Sequence, residues 1–100
     1  MVNMITKKEV PTREQIKSWV LNKMKRHRHI GGKHTEINNI RKGSPQEFHS
    51  EIEKVIGELI KERTIVVKLT SYEKHVSLNP RLMQEINEFI QKYYTEVIFN

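Results

Sequence analysis

The sequence contains no cysteine and no aspartate. Without cysteine the chain has no disulfide, no thiolate zinc site and no cysteine nucleophile. Without aspartate it cannot build a Ser-His-Asp arrangement, or most of the carboxylate sites that metal-dependent hydrolases use. Each glutamate falls at a position that reads as helix surface or turn. We therefore expect neither an enzyme nor a bound cofactor.

Long apolar runs are also missing from the sequence. No segment approaches the length that spans a membrane, and the opening MVNMITKKEV lacks the apolar stretch of a signal peptide. Together with the lack of cysteine, this predicts a cytoplasmic protein that does not associate with membranes. One hundred residues, 36% of them hydrophobic, are expected to form a single domain around one modest core, with residues 1–10 as a flexible lead and residues 95–100 as a tail.

Positive charge is abundant, and it is unevenly distributed along the chain. The net charge is +6. Residues 1–45 contain 11 lysines and arginines against 3 glutamates, whereas residues 46–100 contain 7 against 9. A basic first half favours an anionic partner, and nucleic acid is the commonest such partner for a small domain.

The clearest helix signal covers Ser44–Arg63. Ser44 is the expected N-cap, Pro45 suits the first helical position, and Glu47 completes a capping box with Ser44. Apolar residues recur at helical spacing and form one broad face: Phe48, Ile52, Val55, Ile56, Leu59 and Ile60. The opposite face carries small, polar and basic residues: Gln46, Ser50, Lys54, Gly57 and Lys61. Such a face fits a recognition helix, and it equally fits the solvated side of any amphipathic helix.

Three further helices are indicated by their capping residues. Thr12 and Gln15 form a capping box that begins a first helix, and the last turns of that helix are strongly basic. Thr35 is expected to cap a short second helix over Glu36–Arg41. The pair Asn79-Pro80 caps and opens a fourth helix. A short helix, a turn containing glycine and a long helix in succession form the helix-turn-helix pattern.

After the long helix the hydrophobic period changes from 3.6 to 2. Ile65, Val67 and Leu69 alternate with polar or smaller residues, and Val76 and Leu78 continue the alternation beyond the tip SYEK. If Leu69 faces Val76, then Val67 faces Leu78, and the apolar side chains lie on one face. This agreement predicts a β-hairpin.

The segment from His34 to Pro80, HTEINNIRKGSPQEFHSEIEKVIGELIKERTIVVKLTSYEKHVSLNP, resembles winged helix-turn-helix domains, in particular the small winged-helix proteins common in archaea. The order of elements over residues 12–94 and the ending HVSLNP carry the resemblance. It implies an α+β, mostly helical fold with a three-helix core, a β-hairpin wing and a C-terminal helix. It also implies a transcriptional regulator that binds double-stranded DNA, with helix 45–63 in the major groove and hairpin 64–79 as the wing.

The resemblance implies three groups of DNA-contacting residues. The residues expected at base edges or in the groove are Gln46, His49, Ser50 and Lys54. The expected wing contacts are Tyr72 and Lys74. The expected phosphate contacts are Lys33, Arg41 and Lys42, beside Ser44 at the start of the helix, where free N–H groups also favour an anion.

The glutamates of the long helix keep a second interpretation of the function open. Residues 46–63 carry five glutamates against three lysines and arginines, and several glutamates beside a groove surface repel phosphates. A protein-interaction module without sequence-specific DNA binding is therefore the alternative.

The tail Val97-Ile98-Phe99 either packs on the core or mediates association, and a homodimer would place two recognition helices one DNA turn apart. RNA or single-strand binding is less favoured, because Tyr72 is the one plausible exposed stacking aromatic.

Histidines raise the question of a metal site. His27, His29 and His34 are close in sequence, but their spacing is loose and no cysteine or nearby aspartate supports them. Exposed histidines in a basic loop are the simpler interpretation. We predict no metal site.

Overall fold

The computed structural model describes residues 10–70 and 72–99. Within them the elements are α1 (Arg13–Arg26), β1 (Thr35–Glu36), α2 (Ile37–Arg41), α3 (His49–Lys61), β2 (Ile65–Leu69), β3 (Lys74–Leu78) and α4 (Met83–Tyr93). Single 3-10 turns, Gln46–Phe48 and Pro80–Leu82, precede α3 and α4. The described chain is a mostly helical α+β domain with a three-stranded antiparallel sheet, which confirms the predicted fold class at this level.

The first helix begins as the sequence predicts. The Thr12 hydroxyl accepts a hydrogen bond from the backbone N–H of Gln15 at 3.1 Å, and the Gln15 side chain accepts one from the N–H of Thr12 at 2.9 Å. Two N–H groups that a helix start leaves unpaired are thereby satisfied. The fourth helix is also capped as predicted, since the Asn79 side chain accepts from the N–H of Arg81 at 3.0 Å.

The core lies between α1, α3, α4 and one face of the sheet. The apolar helical residues that are almost fully buried are Ile16, Val20, Leu21, Met24, Ile40, Ile52, Val55, Ile56, Leu59 and Ile86. The sheet contributes Ile65, Val76 and Leu78. Burying such a side chain contributes about 1.5–3 kcal/mol. Packing of its predicted apolar face therefore fixes α3 in place and leaves its other side to solvent.

The prediction of a helix over residues 45–63 with a capping box at Ser44 is wrong at its start. Pro45 has an extended backbone with ψ at 142°, a 3-10 turn follows, and α3 begins at His49 without a side-chain cap. The Ser44 hydroxyl donates to the carbonyl oxygen of Arg41 at 2.6 Å. The Ser44 hydroxyl therefore caps the last turn of α2, which ends at Arg41, and does not cap the N-terminus of α3.

The second helix is shorter than predicted, because its expected cap belongs to a strand. Thr35 and Glu36 form β1, in which they pair with Val76 and His75 of β3. The helix then begins at Ile37, and no side-chain hydrogen bond caps it. The Thr35 hydroxyl oxygen, which would have capped the helix, accepts a hydrogen bond from the Asn39 side chain instead.

The hairpin prediction is right about which face of the hairpin is apolar and wrong about which residues of its two strands pair. Val67 lies opposite Val76 and Ile65 opposite Leu78, which is a shift of two residues from the predicted register. A shift of two returns each side chain to the same face, so the alternation of apolar residues fits both registers. The actual register leaves Leu69 beyond the core. The strand order is β1-β3-β2, with β3 in the middle.

The C-terminal tail packs back on the domain. Ile98 is buried, and the ring of Phe99 lies 5.1 Å from that of Trp19 and 5.1 Å from that of Phe48. Of the two roles considered for the tail, packing on the core is confirmed. The predicted flexible lead falls, apart from Val10, outside the described residues.

Candidate nucleic-acid interface

One side of α3 and of the turn before it is open to solvent. We call it the outer face of α3, and its exposed residues are Gln46, Ser50, Lys54, Gly57 and Lys61. A Cβ atom added at Gly57 would meet nothing within 4 Å, so the helix backbone itself can be approached there. Three of the predicted groove residues, Gln46, Ser50 and Lys54, thus share one accessible surface.

Glutamates beside the outer face pair with two of the predicted DNA contacts. The Arg41 guanidinium pairs with the Glu53 carboxylate, and Lys54 Nζ lies 3.6 Å from the Glu51 carboxylate. Exposed ion pairs of this kind contribute only about 0–1 kcal/mol. A phosphate can therefore compete for these cations, although the glutamates oppose its approach.

Two predicted contacts are turned toward the protein. Ser44 donates its hydroxyl hydrogen bond to Arg41, and His49 Nε2 lies 3.3 Å from the Ser44 carbonyl oxygen. Both residues are half-buried. Gly43, with φ at +88°, makes the turn that brings them together. Ser44 and His49 therefore fix the connection between α2 and α3, and neither projects from the outer face.

The hairpin turn projects an aromatic side chain into solvent. Thr70 closes the turn, because its hydroxyl donates to the Glu73 carbonyl oxygen at 2.8 Å and accepts from the Glu73 N–H at 3.0 Å. Tyr72 is 96% exposed, and Lys74 is exposed beside it. Leu69 is 76% exposed. The two predicted wing contacts are accessible, next to an apolar side chain that the sequence assigned to the core.

The basic first half of the chain is divided in the folded molecule. Arg13 lies 2.5 Å from Glu58, and Lys17 lies 3.5 Å from Glu62, so these cations face the acidic edge of α3. Lys23 lies elsewhere and donates a hydrogen bond to the carbonyl oxygen of Lys42. Lys33 is exposed in the connection before β1. Lys23 and Lys42 therefore form a basic group where α1 and α2 end, whereas Arg13 and Lys17 of α1 balance the negative charge of Glu58 and Glu62.

A cleft lies beside these two lysines, and the sequence predicted neither the cleft nor which residues line it. We call it the basic cleft; it has a volume of about 350 Å³ and is lined by Lys23, Met24, His27, His29, Thr35, Asn39, Ile40 and Lys42. Burial lowers the pKa of Lys23, and the charges of Arg26 and Lys42 lower it further. Burial also lowers the pKa of His29, as does the neighbouring His27. The run KMKRHRH was the available signal, but only the fold shows which of its members line a cavity.

One group among the described residues could hold a metal ion. Glu36, Glu73 and His75 offer ligand atoms that all lie within 4.8 Å of one another, and His75 Nε2 is 3.1 Å from the Glu73 carboxylate. A hydrogen bond with Glu73 raises the pKa of Glu36, and the same contact lowers that of Glu73. Of the three histidines considered in the sequence, His27 and His29 lie together with their rings stacked 6.1 Å apart, whereas the ring of His34 lies beside that of His75.

None of the helices within residues 10–70 and 72–99 has the length and apolar content that crossing a membrane requires. The fold and the surfaces above define a small basic α+β domain with an exposed helix face and an exposed hairpin turn. No protein-family model matches the chain, and no curated protein or solved structure shows significant similarity to it.

Proposed function

We propose that the chain is a winged helix-turn-helix domain that binds double-stranded DNA, as a transcriptional regulator does. The order α1, β1, α2, α3, β2, β3, α4 and the sheet order β1-β3-β2 are compatible with that layout. The observation that carries the proposal is the free outer face of α3, which no other element of the described chain covers. A helix with one buried face and one accessible face can enter a major groove, and the hairpin turn can contact the backbone beside it.

In this proposal the outer face reads the bases and the surrounding cations hold the phosphates. Gln46 can bond adenine through two contacts, and Ser50 or Lys54 can bond several base edges. Lys42, in the connection between α2 and α3, and Lys74, in the hairpin, would contact the phosphate backbone. Replacing Gln46 or Ser50 should therefore change sequence preference, whereas replacing Lys42 or Lys74 should weaken binding to all sequences alike.

The test is a selection of bound duplexes from a random pool, followed by anisotropy titrations of a selected duplex at several salt concentrations. The logarithm of the association constant should fall with the logarithm of salt concentration with a slope near −0.9 for each phosphate neutralised. Lys42→Gln and Lys74→Gln should each reduce that slope by about 1. Lys92→Gln is the matched control, because Lys92 is an exposed lysine of α4 whose Nζ lies over the ring of Tyr93.

Binding that is undetectable, or that does not respond to salt, would overturn the proposal. So would a loss of affinity in Lys92→Gln equal to that in Lys42→Gln, because the contribution would then come from net charge and not from a surface. Thermal melts of each variant separate lost binding from lost folding.

A specific observation also favours the protein-interaction alternative. Leu69 and Tyr72 expose apolar area at the hairpin, and Val97 is 60% exposed in the tail. An apolar edge of this kind suits a protein partner better than it suits phosphates. The alternative predicts one stoichiometric protein partner that is retained after nuclease treatment and lost on Leu69→Ser. The homodimer stays a prediction, and sedimentation of the purified chain tests it.

A further inference from the structure

The basic cleft lies where the end of α1, the strand β1 and the helix α2 meet. Its floor is apolar, since Met24 and Ile40 are both almost fully buried. Its polar lining comes from two segments of the chain: Lys23 and His29 belong to the first, and Asn39 and Lys42 to the second. The outer face of α3 contributes none of the lining residues. The cleft is therefore a separate feature from the surface proposed to read DNA.

No acidic residue lines the cleft within the part of the chain that the structure describes. Three other cations of the first half have carboxylate partners: Arg13 and Lys17 pair with Glu58 and Glu62, and Arg41 pairs with Glu53. Lys23 instead donates to a backbone carbonyl oxygen, that of Lys42, and burial together with the positive charges of Arg26 and Lys42 lowers its pKa. A half-buried ammonium beside other positive charges is destabilising by itself, and an anion in the cleft would relieve the repulsion on Lys23.

Hydrogen-bonding groups accompany the positive charge. The Asn39 side chain donates to the Thr35 hydroxyl oxygen at 3.1 Å, which leaves the hydroxyl proton of Thr35 available to a further acceptor. His29 and His27 add ring nitrogens, and the two lysines add ammonium donors. Donors from several directions suit a phosphate, because its three terminal oxygens can accept all of them.

The size and the floor of the cleft indicate more than an inorganic ion. A volume of about 350 Å³ is at the small end of the range for pockets that hold small molecules. An apolar floor next to cationic walls suits a ligand with a compact, less polar body and a charged end. The Met24 side chain can adapt to the shape of such a body.

We propose that the basic cleft binds the phosphate group of a nucleotide-sized ligand, with the phosphate at Lys23 and Lys42 and the less polar body over Met24 and Ile40. The ligand can be a free phosphorylated molecule or one nucleotide of a nucleic acid chain, because the recognising chemistry is the same. The proposal does not need the outer face of α3 to bind DNA, since a free nucleotide would suffice.

The test is an NMR titration of the ¹⁵N-labelled full chain with three probes: inorganic phosphate, AMP and adenosine. AMP should shift the signals of His29, Asn39 and the residues around Lys42, inorganic phosphate should shift the same signals more weakly, and adenosine should leave them unchanged. Lys23→Gln and Lys42→Gln should each weaken AMP binding about tenfold or more, as expected for the loss of a hydrogen bond to a charged group. Lys92→Gln, with the same change of charge, should leave it unchanged.

Lys42 is exposed, so Lys42→Gln keeps the test valid if Lys23→Gln fails to fold. A short duplex added to the AMP complex distinguishes the two ligand sources. Displacement of AMP, with duplex affinity that falls in Lys42→Gln, assigns the cleft to nucleic acid. AMP that stays bound assigns it to a free phosphorylated molecule.

The proposal is overturned if AMP and the duplex both leave the cleft signals unchanged. It is also overturned if adenosine binds as well as AMP, or if Lys92→Gln weakens AMP binding as much as Lys42→Gln does. These results are distinct from failure of the DNA-binding proposal, which is judged by salt dependence and by the Gln46 and Ser50 variants.

Discussion

The guanidinium group of Arg13 in α1 lies 2.5 Å from the carboxylate of Glu58 in α3. Its neighbour Lys17 lies 3.5 Å from Glu62, one helical turn further along α3. Together with the pairs at Glu51 and Glu53, these contacts assign cations to four of the five glutamates in residues 46–63. Three of these pairs join α3 or the residue after it to α1 and α2, and the fourth lies within α3. The negative charge of this segment is therefore largely compensated locally, and it is a smaller obstacle to phosphate binding than its count suggests.

The Arg13–Glu58 pair predicts a pH dependence of stability. The hydrogen bond and charge of Arg13 hold the pKa of Glu58 below its ordinary value. The unfolded chain therefore binds this proton more readily than the folded chain, so the pair stabilises the fold above about pH 4.3, and the stabilisation is lost as pH falls through the lower folded-state pKa. Melting curves of the wild type and Glu58→Gln should differ near neutral pH and converge in acid. Glu47→Gln, at an exposed glutamate, is the control, and a gap between wild type and Glu58→Gln that stays constant with pH would refute this account.

Removing a glutamate beside the outer face should strengthen DNA binding. Glu53→Gln frees the Arg41 guanidinium and deletes a negative charge that a phosphate would meet. We expect affinity for a duplex to rise up to about fivefold at low salt, which corresponds to an exposed ion pair worth up to about 1 kcal/mol. Glu88→Gln, on α4, makes the same change of charge elsewhere. An equal gain in both variants would show that only net charge matters.

The C-terminal aromatic residue should stabilise the domain through Trp19. Phe99→Ala removes the ring that lies edge-on to Trp19 at 5.1 Å. Because Phe99 is only partly buried, we expect a loss of about 1–3 kcal/mol, below the 3–5 kcal/mol typical of a fully buried phenylalanine. Trp19 is the single tryptophan, so its emission should shift to longer wavelength. Val97→Ala, at a 60% exposed position, should change neither quantity, and an unchanged Phe99→Ala would contradict the packing described here.

Replacing Arg63 with glycine should stabilise the domain, because Arg63 occupies a backbone conformation that glycine prefers. Its φ is +65°, and the N–H of Thr64 donates to the carbonyl oxygen of Leu59 at 3.0 Å, as in a Schellman motif. A non-glycine residue in the left-handed conformation costs about 1–2 kcal/mol. Glycine avoids that cost, but it loses more backbone entropy on folding, which offsets part of the gain. Arg63→Gly should therefore stabilise the domain by about 0.5–1 kcal/mol in urea denaturation. Glu62→Gly, one residue earlier in a right-handed conformation, should destabilise it, and a loss at both positions would contradict this reading of the helix end.

The capping predictions show where local reasoning succeeds and where it fails. Thr12 caps α1 because its partner, Gln15, is three residues away and nothing else competes. Ser44 has the same local signal with Glu47, but its hydroxyl donates to Arg41 instead. Thr35 is a good cap by type, yet it pairs with Val76 in the sheet. A competing partner in the folded chain overrides a local preference of about 1 kcal/mol.

Some properties of the candidate site likewise follow from the sequence, and others depend on the fold. Exposure of Gln46, Ser50 and Lys54 follows from helical periodicity, and the structure agrees with it. The inward position of His49 follows from the extended Pro45 and the 3-10 turn, which replace the predicted helix start. The cleft behind Lys42 could not be predicted from spacing, because residues 23–29 and residues 35–42 line it together.

The sequence by itself determined which faces of the helices and strands are apolar, where α1 begins, and that the first half of the chain is basic. These properties depend on residues within a few positions of one another. The tertiary structure alone decided the register of the sheet, the addition of β1, the ion-pair partners of the α3 glutamates and the existence of the basic cleft. Each of these depends on the distance between groups that are far apart in the chain, and packing of the core sets that distance.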